Sequence, residues 1–222
     1  MSIVEALARE VGSVGKALHK LPPHAWHQQT RCAPMSVLHL VAHMARGAMR
    51  INDMLATEPL EIEPEVDGVT WWQTDLEAIA PEILQRALDD AERIGDAAAM
   101  IRYWDTEWVR ALQGARTAVA AGDPVLRGFL GAIRMSEFLR TRCVEVVVHH
   151  MDLDDAVGHT LHPDAEALEI VGDVLRGLLG TDLRATGVDD VRFVLIGTGR
   201  AELTDDERTY LGPLADKFPL LR

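Results

Sequence analysis

Between residues 133 and 157 the chain follows a long helical period, closed by Gly158, in which Arg142, Glu145, His149 and Asp152 recur at spacings of 3, 4 and 3. Those spacings stack the four side chains along one helix face. Phe138, Leu139, Val146, Val148 and Leu153 flank them with apolar surface. Such a row is either an internal site or a narrow solvent seam. Buried ions cost several kcal/mol each unless they are paired or metal-bound, so a buried row needs a partner from elsewhere in the chain. The run over residues 35–57, free of proline, has the same design in His39, His43, Arg46 and Arg50. On a helical wheel these fill a polar arc of roughly 60°, opposite an apolar arc of roughly 200°. Two such helices facing each other in a bundle would bring His43 to Glu145 and His149.

The rest of the chain fits a bundle. Ile3, Leu7, Val11, Val14 and Leu18 predict a first helix over 2–21, stopped by Pro22-Pro23. The second, 35–57, ends in a loop from Glu58-Pro59 to Asp67-Gly68. A third spans about 75–99, and 104–121 either continues it or forms a neighbour, until Gly122-Asp123-Pro124 breaks the pattern. A short segment at 125–130 precedes the fourth helix. Beyond it, 165–179 reads as a helix, 191–199 (VRFVLIGTG) as a strand, and Thr204 as the N-cap of a final short helix. The expected fold is mainly α: an up-and-down four-helix bundle over 1–160, with a small C-terminal α/β appendage over 161–222 and a boundary near 158–164.

Composition narrows the function classes. In 222 residues, 48% hydrophobic but only 5% aromatic, the apolar surplus suits packed helices. A net charge of −13 disfavours nucleic acid and anionic membrane surfaces as partners. Cys32 and Cys143 form no Cys-x-x-Cys pair, so a reducing, cytoplasmic setting is expected. No run approaches the roughly 20 apolar residues of a membrane span, and no export signal is evident.

Two imidazoles and one carboxylate make a catalytic type of zinc site, with a fourth tetrahedral position open to water or substrate. Coordination deprotonates a thiol without a dedicated base. Magnesium or calcium would want more oxygens. The plain alternatives are an ion pair between Glu145 and His149, and a salt bridge from Arg142 to Glu145. His39 and His43 are either a metal-binding pair or partly exposed surface. Asp152 either orients a ligating histidine or caps the helix end. His150 lies about 100° round the helix from His149 and points elsewhere. His24 and His27 read as surface, and Trp71-Trp72 as core anchors or pocket walls.

TRCAPMSVLHLVAHMARG and, a hundred residues on, LRTRCVEVVVHHMDLDDAVG resemble the mycothiol-dependent maleylpyruvate isomerase family, within the DinB-like metal-binding four-helix bundles. The resemblance covers roughly residues 1–160. It implies that His43, Glu145 and His149 bind a divalent metal, usually zinc, that activates mycothiol. Family members carry a C-terminal domain that closes over the site and supplies an arginine for substrate carboxylates. This chain departs from that pattern, being short after residue 160, and Arg200 is the positional candidate for that role.

The expected function is therefore a zinc-dependent enzyme that activates a low-molecular-weight thiol, mycothiol on the resemblance, as a metal-bound thiolate. In an isomerase the thiolate adds to a cis double bond, allows rotation and leaves again; in an S-transferase it stays attached. Arg46 is the candidate for holding an anionic group of the small electrophile, with Asp152 and Arg142 supporting the ligands. Two alternatives remain: a non-enzymatic, metal-stabilised interaction bundle whose polar rows pair with each other, and a metal-dependent hydrolase using bound hydroxide. A monomer or homodimer fits either.

Overall fold

The computed structural model describes residues 2–158, 162–181 and 189–221. Helices α1 (Ile3–Leu18), α2 (Val37–Leu55), α3 (Leu76–Ile94), α4 (Ala97–Ala120) and α5 (Met135–Val157) build the bundle. An antiparallel hairpin of β1 (Val125–Arg127) and β2 (Ala132–Arg134), with Leu126 opposite Ile133, leads into α5. Helices α6 (Ala165–Leu179), α7 (Asp190–Gly197) and α8 (Asp205–Leu211) form the C-terminal appendage. The chain is mainly α, a helical bundle with a small appendage. Among the described residues no helix is long and apolar enough to cross a membrane.

Local chemistry sets the helix ends. Ser2, Asp75 and Asp96 each accept from a backbone N–H three residues on, satisfying donors that the first turn leaves open. Gly158 ends α5 in the left-handed region at φ 71°. The third segment is two helices, because Gly95 turns the chain at φ 105° and Asp96 caps a fresh start. Helix α4 thus begins at Ala97, earlier than the neighbour expected from residue 104.

Helix α5 is the axis of the fold, packed by α1, α2, α4 and α6. Phe138, Leu139, Val144, Val146, Val147, Val148, Met151 and Leu153 are all buried, covering its whole circumference. Each such side chain contributes about 1.5–3 kcal/mol by leaving water. The polar row of α5 is therefore interior, the first of the two readings that its pattern allowed.

The appendage corrects one expectation. The VRFVLIGTG segment is helix α7, not a strand, and among the described residues the appendage contains no strand, so it is helical rather than α/β. Asp189 caps it by accepting from the Arg192 N–H, and Phe193, Val194 and Ile196 are buried as α7 packs against α6. A lone strand there would have no ladder partner for its backbone groups, so tertiary packing overrides the β propensity of valine, isoleucine and phenylalanine.

Candidate metal centre

The buried face of α2, made by Leu40, Val41, Met44, Ala45, Ala48 and Ile51, turns His43, Arg46 and Arg50 onto its remaining arc. There His43 Nε2 lies 3.1 Å from Glu145 Oε2, and His149 Nε2 lies 3.5 Å from the same oxygen. One nitrogen from each histidine and a carboxylate oxygen all fall within 4.8 Å of one another. The imidazoles meet edge to face with centroids 5.0 Å apart. All three side chains are mostly covered, at 15%, 21% and 15% exposure for His43, Glu145 and His149.

This donor set suits a divalent ion. Ligands about 2.0–2.1 Å from a tetrahedral zinc lie roughly 3.3–3.4 Å apart, close to both nitrogen–oxygen separations here. Two neutral imidazoles and one carboxylate also leave a net positive centre with a vertex free.

Asp152, fully buried, accepts at Oδ2 from His149 Nδ1 at 2.9 Å, which leaves His149 Nε2 facing Glu145. Arg200 grips the same carboxylate with two bonds, Nε to Oδ1 at 3.1 Å and Nη2 to Oδ2 at 2.7 Å. Arg200 also donates to the Thr198 carbonyl at 2.8 Å, so the appendage anchors the far end of the chain of contacts. Burial opposes the charge on Asp152, but the bonds from His149 and Arg200 outweigh it and hold the carboxyl well below the usual range. For His149 burial favours the neutral ring, yet bonds to Asp152, Cys32 and Glu145 outweigh it and raise its pKa well above that of free histidine. Burial likewise pushes Glu145 up, and the two histidines and Arg142 bring it well down.

Two cavities meet at the cluster. The smaller, about 340 Å³, lies on the side of Arg50, Trp71, Phe129, Phe138 and Arg142. The larger, about 590 Å³, is walled by Cys32, Met35, Val144, Val148, Arg200 and Leu221. His43, Trp72, Ile83 and Glu145 line both. Trp71 and Trp72 thus act as buried anchors and as pocket walls.

Other candidates take different places. Arg46 reaches the smaller cavity but donates Nε to Asp90 Oδ2 at 2.7 Å. Arg142 stands 4.0 Å from Glu145, at the limit of an ion pair, and lies over the Phe138 ring instead. His39 Nδ1 accepts the Ser36 backbone N–H at 3.2 Å, so it closes the start of α2 rather than joining a metal pair. His150 points away, bonded to Glu10, and His24 and His27 are exposed. Cys32, which belongs to no Cys-x-x-Cys pair, has its Sγ 3.3 Å from Asp152 Oδ2 and 4.0 Å from His149 Nδ1. Its contacts span 117 and 120 residues, so no local motif announces them.

Polar rows from facing helices that converge inside a bundle define a helical protein with an internal histidine and carboxylate centre. The chain belongs to the mycothiol maleylpyruvate isomerase N-terminal domain family, whose profile matches residues 7–154. The match takes in His43, Glu145 and His149 and stops before α6. No curated protein and no solved structure matches the chain.

Proposed function

We propose that the protein is a metal-dependent enzyme in which His43, Glu145 and His149 hold a divalent ion, zinc by donor type, and a low-molecular-weight thiol, mycothiol, is turned on a small electrophile by isomerisation or S-transfer. The observation that carries this reading is the convergence of three ligand atoms within 4.8 Å of one another where two cavities meet. Family membership supports the choice of thiol. A divalent ion bound there supplies the positive charge that keeps a coordinated thiol deprotonated near neutral pH.

The chain's own groups do the rest. Asp152 fixes the tautomer of His149 by accepting a hydrogen bond from its Nδ1–H, and Arg200 fixes Asp152. Trp72 and Ile83, shared by both cavities, put apolar surface beside the cluster, which lowers the local dielectric and strengthens its electrostatics. Val144, Val148 and Leu221 give the larger cavity an apolar approach on which a thiol is poorly solvated.

Metal analysis of protein purified without chelators tests the ligand set: close to one equivalent is expected, and less than half an equivalent with none regained on zinc addition rejects it. Calorimetric titration of the zinc-loaded protein with mycothiol, glutathione and cysteine tests the thiol. Selective binding of mycothiol is expected; turnover independent of any added thiol points instead to hydrolysis.

A further inference from the structure

His149 has two ring nitrogens, and each sits in a different set of donor atoms. Nε2 faces Glu145, within the centre shared with His43. Nδ1 lies 2.9 Å from Asp152 Oδ2 and 4.0 Å from Cys32 Sγ, and Sγ lies 3.3 Å from the same oxygen. One donor atom from each of these three residues falls within 4.8 Å of the others. Cys32 is half-buried and lines the larger cavity with His149 and Arg200, so an ion can reach it from there. Its loop is tied down: the Cys32 N–H donates to Thr30 Oγ1 at 3.2 Å, its carbonyl accepts from the Met35 N–H at 2.9 Å, and Arg31 donates to the Arg200 carbonyl at 3.1 Å. Cys143, the other thiol, is fully buried and turns its S–H to the Ala167 carbonyl at 3.6 Å.

Spacing and charge select the ion. With bonds of roughly 2.3 Å to sulfur and 2.0 Å to nitrogen, the two donors lie about 3.5 Å apart at a tetrahedral ion, about 3.7 Å at a trigonal one and about 4.3 Å at a linear one. The observed 4.0 Å falls between the last two. Such low coordination is the habit of Cu+, a soft ion that thiolates favour, and not of zinc. A Cys32 thiolate and the Asp152 carboxylate carry two negative charges, and Arg200, bonded to Asp152 at 2.7 Å, answers one of them. Arg31, 3.8 Å from Asp152, is shared with Asp155 at 3.5 Å. A monovalent cation balances the remaining charge, whereas a divalent one leaves an excess beside a mostly covered guanidinium, which costs free energy.

We propose that Cys32 Sγ and His149 Nδ1, with the Asp152 carboxylate beside them, form a binding site for a monovalent thiophilic ion of the Cu+ type. Binding exchanges protons and no electrons. The Cys32 thiol proton passes to solvent as the sulfur–copper bond forms, and the His149 proton moves from Nδ1 to Nε2, on the side of Glu145. A neutral imidazole has one free lone pair, so the ring serves one ion at a time. Cu+ on Nδ1 therefore takes His149 away from His43 and Glu145. The Cys32 site does not depend on the proposed thiol chemistry; only the displacement of a divalent ion rests on that reading.

The test uses the full chain, reduced and free of oxygen, and measures Cu+ drawn from its coloured bicinchoninate chelate. One Cu+ per chain is expected. Cys32→Ser and His149→Gln are each expected to weaken binding about tenfold or more, a ligand being worth no less than the outer partners whose loss costs about 10–100-fold. Cys143→Ser and His43→Ala are expected to keep it. Cu+ added to the zinc-loaded protein is expected to release zinc, read with a zinc-sensitive dye. No uptake, or uptake unchanged in Cys32→Ser, overturns the site. Uptake that survives His149→Gln does so too, since it leaves only a reactive thiol. Loss of uptake in a folded His43→Ala protein places the ion in the other centre and also overturns it, and zinc retained alongside Cu+ overturns the sharing of the ring. A chain that binds Cu+ through Cys32 but takes up no zinc instead strikes the proposed function and leaves this site standing.

Discussion

His149 and His150 are neighbours in sequence, and each meets a glutamate, yet they serve opposite ends on α5. His150 Nδ1 lies 2.6 Å from Glu10 Oε1, and Glu10 Oε2 accepts the Asp164 backbone N–H at 2.6 Å. Glu10 is fully buried, so this cluster ties α1, α5 and the start of α6 together with its lone pairs consumed inside the fold. The His149 cluster has the same residue types but faces two cavities, with ligand atoms that can accept something more. The contrast teaches that residue type does not separate a buttress from a site. What separates them is whether the remaining hydrogen-bonding capacity is used up by the protein.

The largest effect should come from the open cluster. His43→Ala is expected to abolish stoichiometric metal binding while lowering Tm little; retained metal in that variant would show that the cluster is a buttress like its neighbour. Next in size, Glu10→Ala should cost about 3–5 kcal/mol in urea unfolding, because it leaves a buried imidazole without its partner, yet metal content should hold. A neutral outcome for stability would erase the distinction from the other side. Smaller again, Asp152→Asn should weaken metal affinity roughly 10–100-fold, since the carboxylate that orients His149 is lost but all three ligands stay. Competition against a chelating dye measures it, and unchanged affinity would detach Arg200 and the appendage from the site.

The smallest effect concerns the rim of the sealed cluster. Asp164 caps α6 and pairs with Arg9 at 2.8 Å. Burial works against its charge, but Arg9 and the backbone donors of α6 outweigh that and hold its carboxyl below the usual range. A depressed carboxyl stabilises the fold above its unfolded value of about 3.9 and loses that contribution as pH falls through the folded value. Asp164→Asn keeps the cap and removes the charge. Between pH 7 and pH 3 the unaltered protein should therefore lose about 0.5–1 kcal/mol more than the variant; equal losses would remove Asp164 from the account.

Much of the architecture was legible because helices write their burial as a period. The facing rows on α2 and α5 predicted that His43, Glu145 and His149 would meet across a separation of 102 residues, and they do. The break between α3 and α4 was left open, since alanine and leucine continue across it and only Gly95 and Asp96 mark the turn. Helix α7 departs from the strand that its composition predicts, because β-branched composition describes a preference for being buried as much as a preference for strands. Arg46 stood out by its place next to His43, whereas Cys32 did not, since its contacts with His149 and Asp152 come from a segment more than a hundred residues away.

Periodicity, charge pattern and capping residues were enough to dictate a helical bundle and the faces on which its ionisable groups lie, because both depend on spacing along one chain segment. Packing alone decided that Glu10 closes off His150, which arginines find carboxylates, and that Arg200 of the appendage reaches Asp152. Those outcomes depend on distances between segments far apart in the chain, and hydrogen-bond and ion-pair energies fall away within a few ångströms of contact.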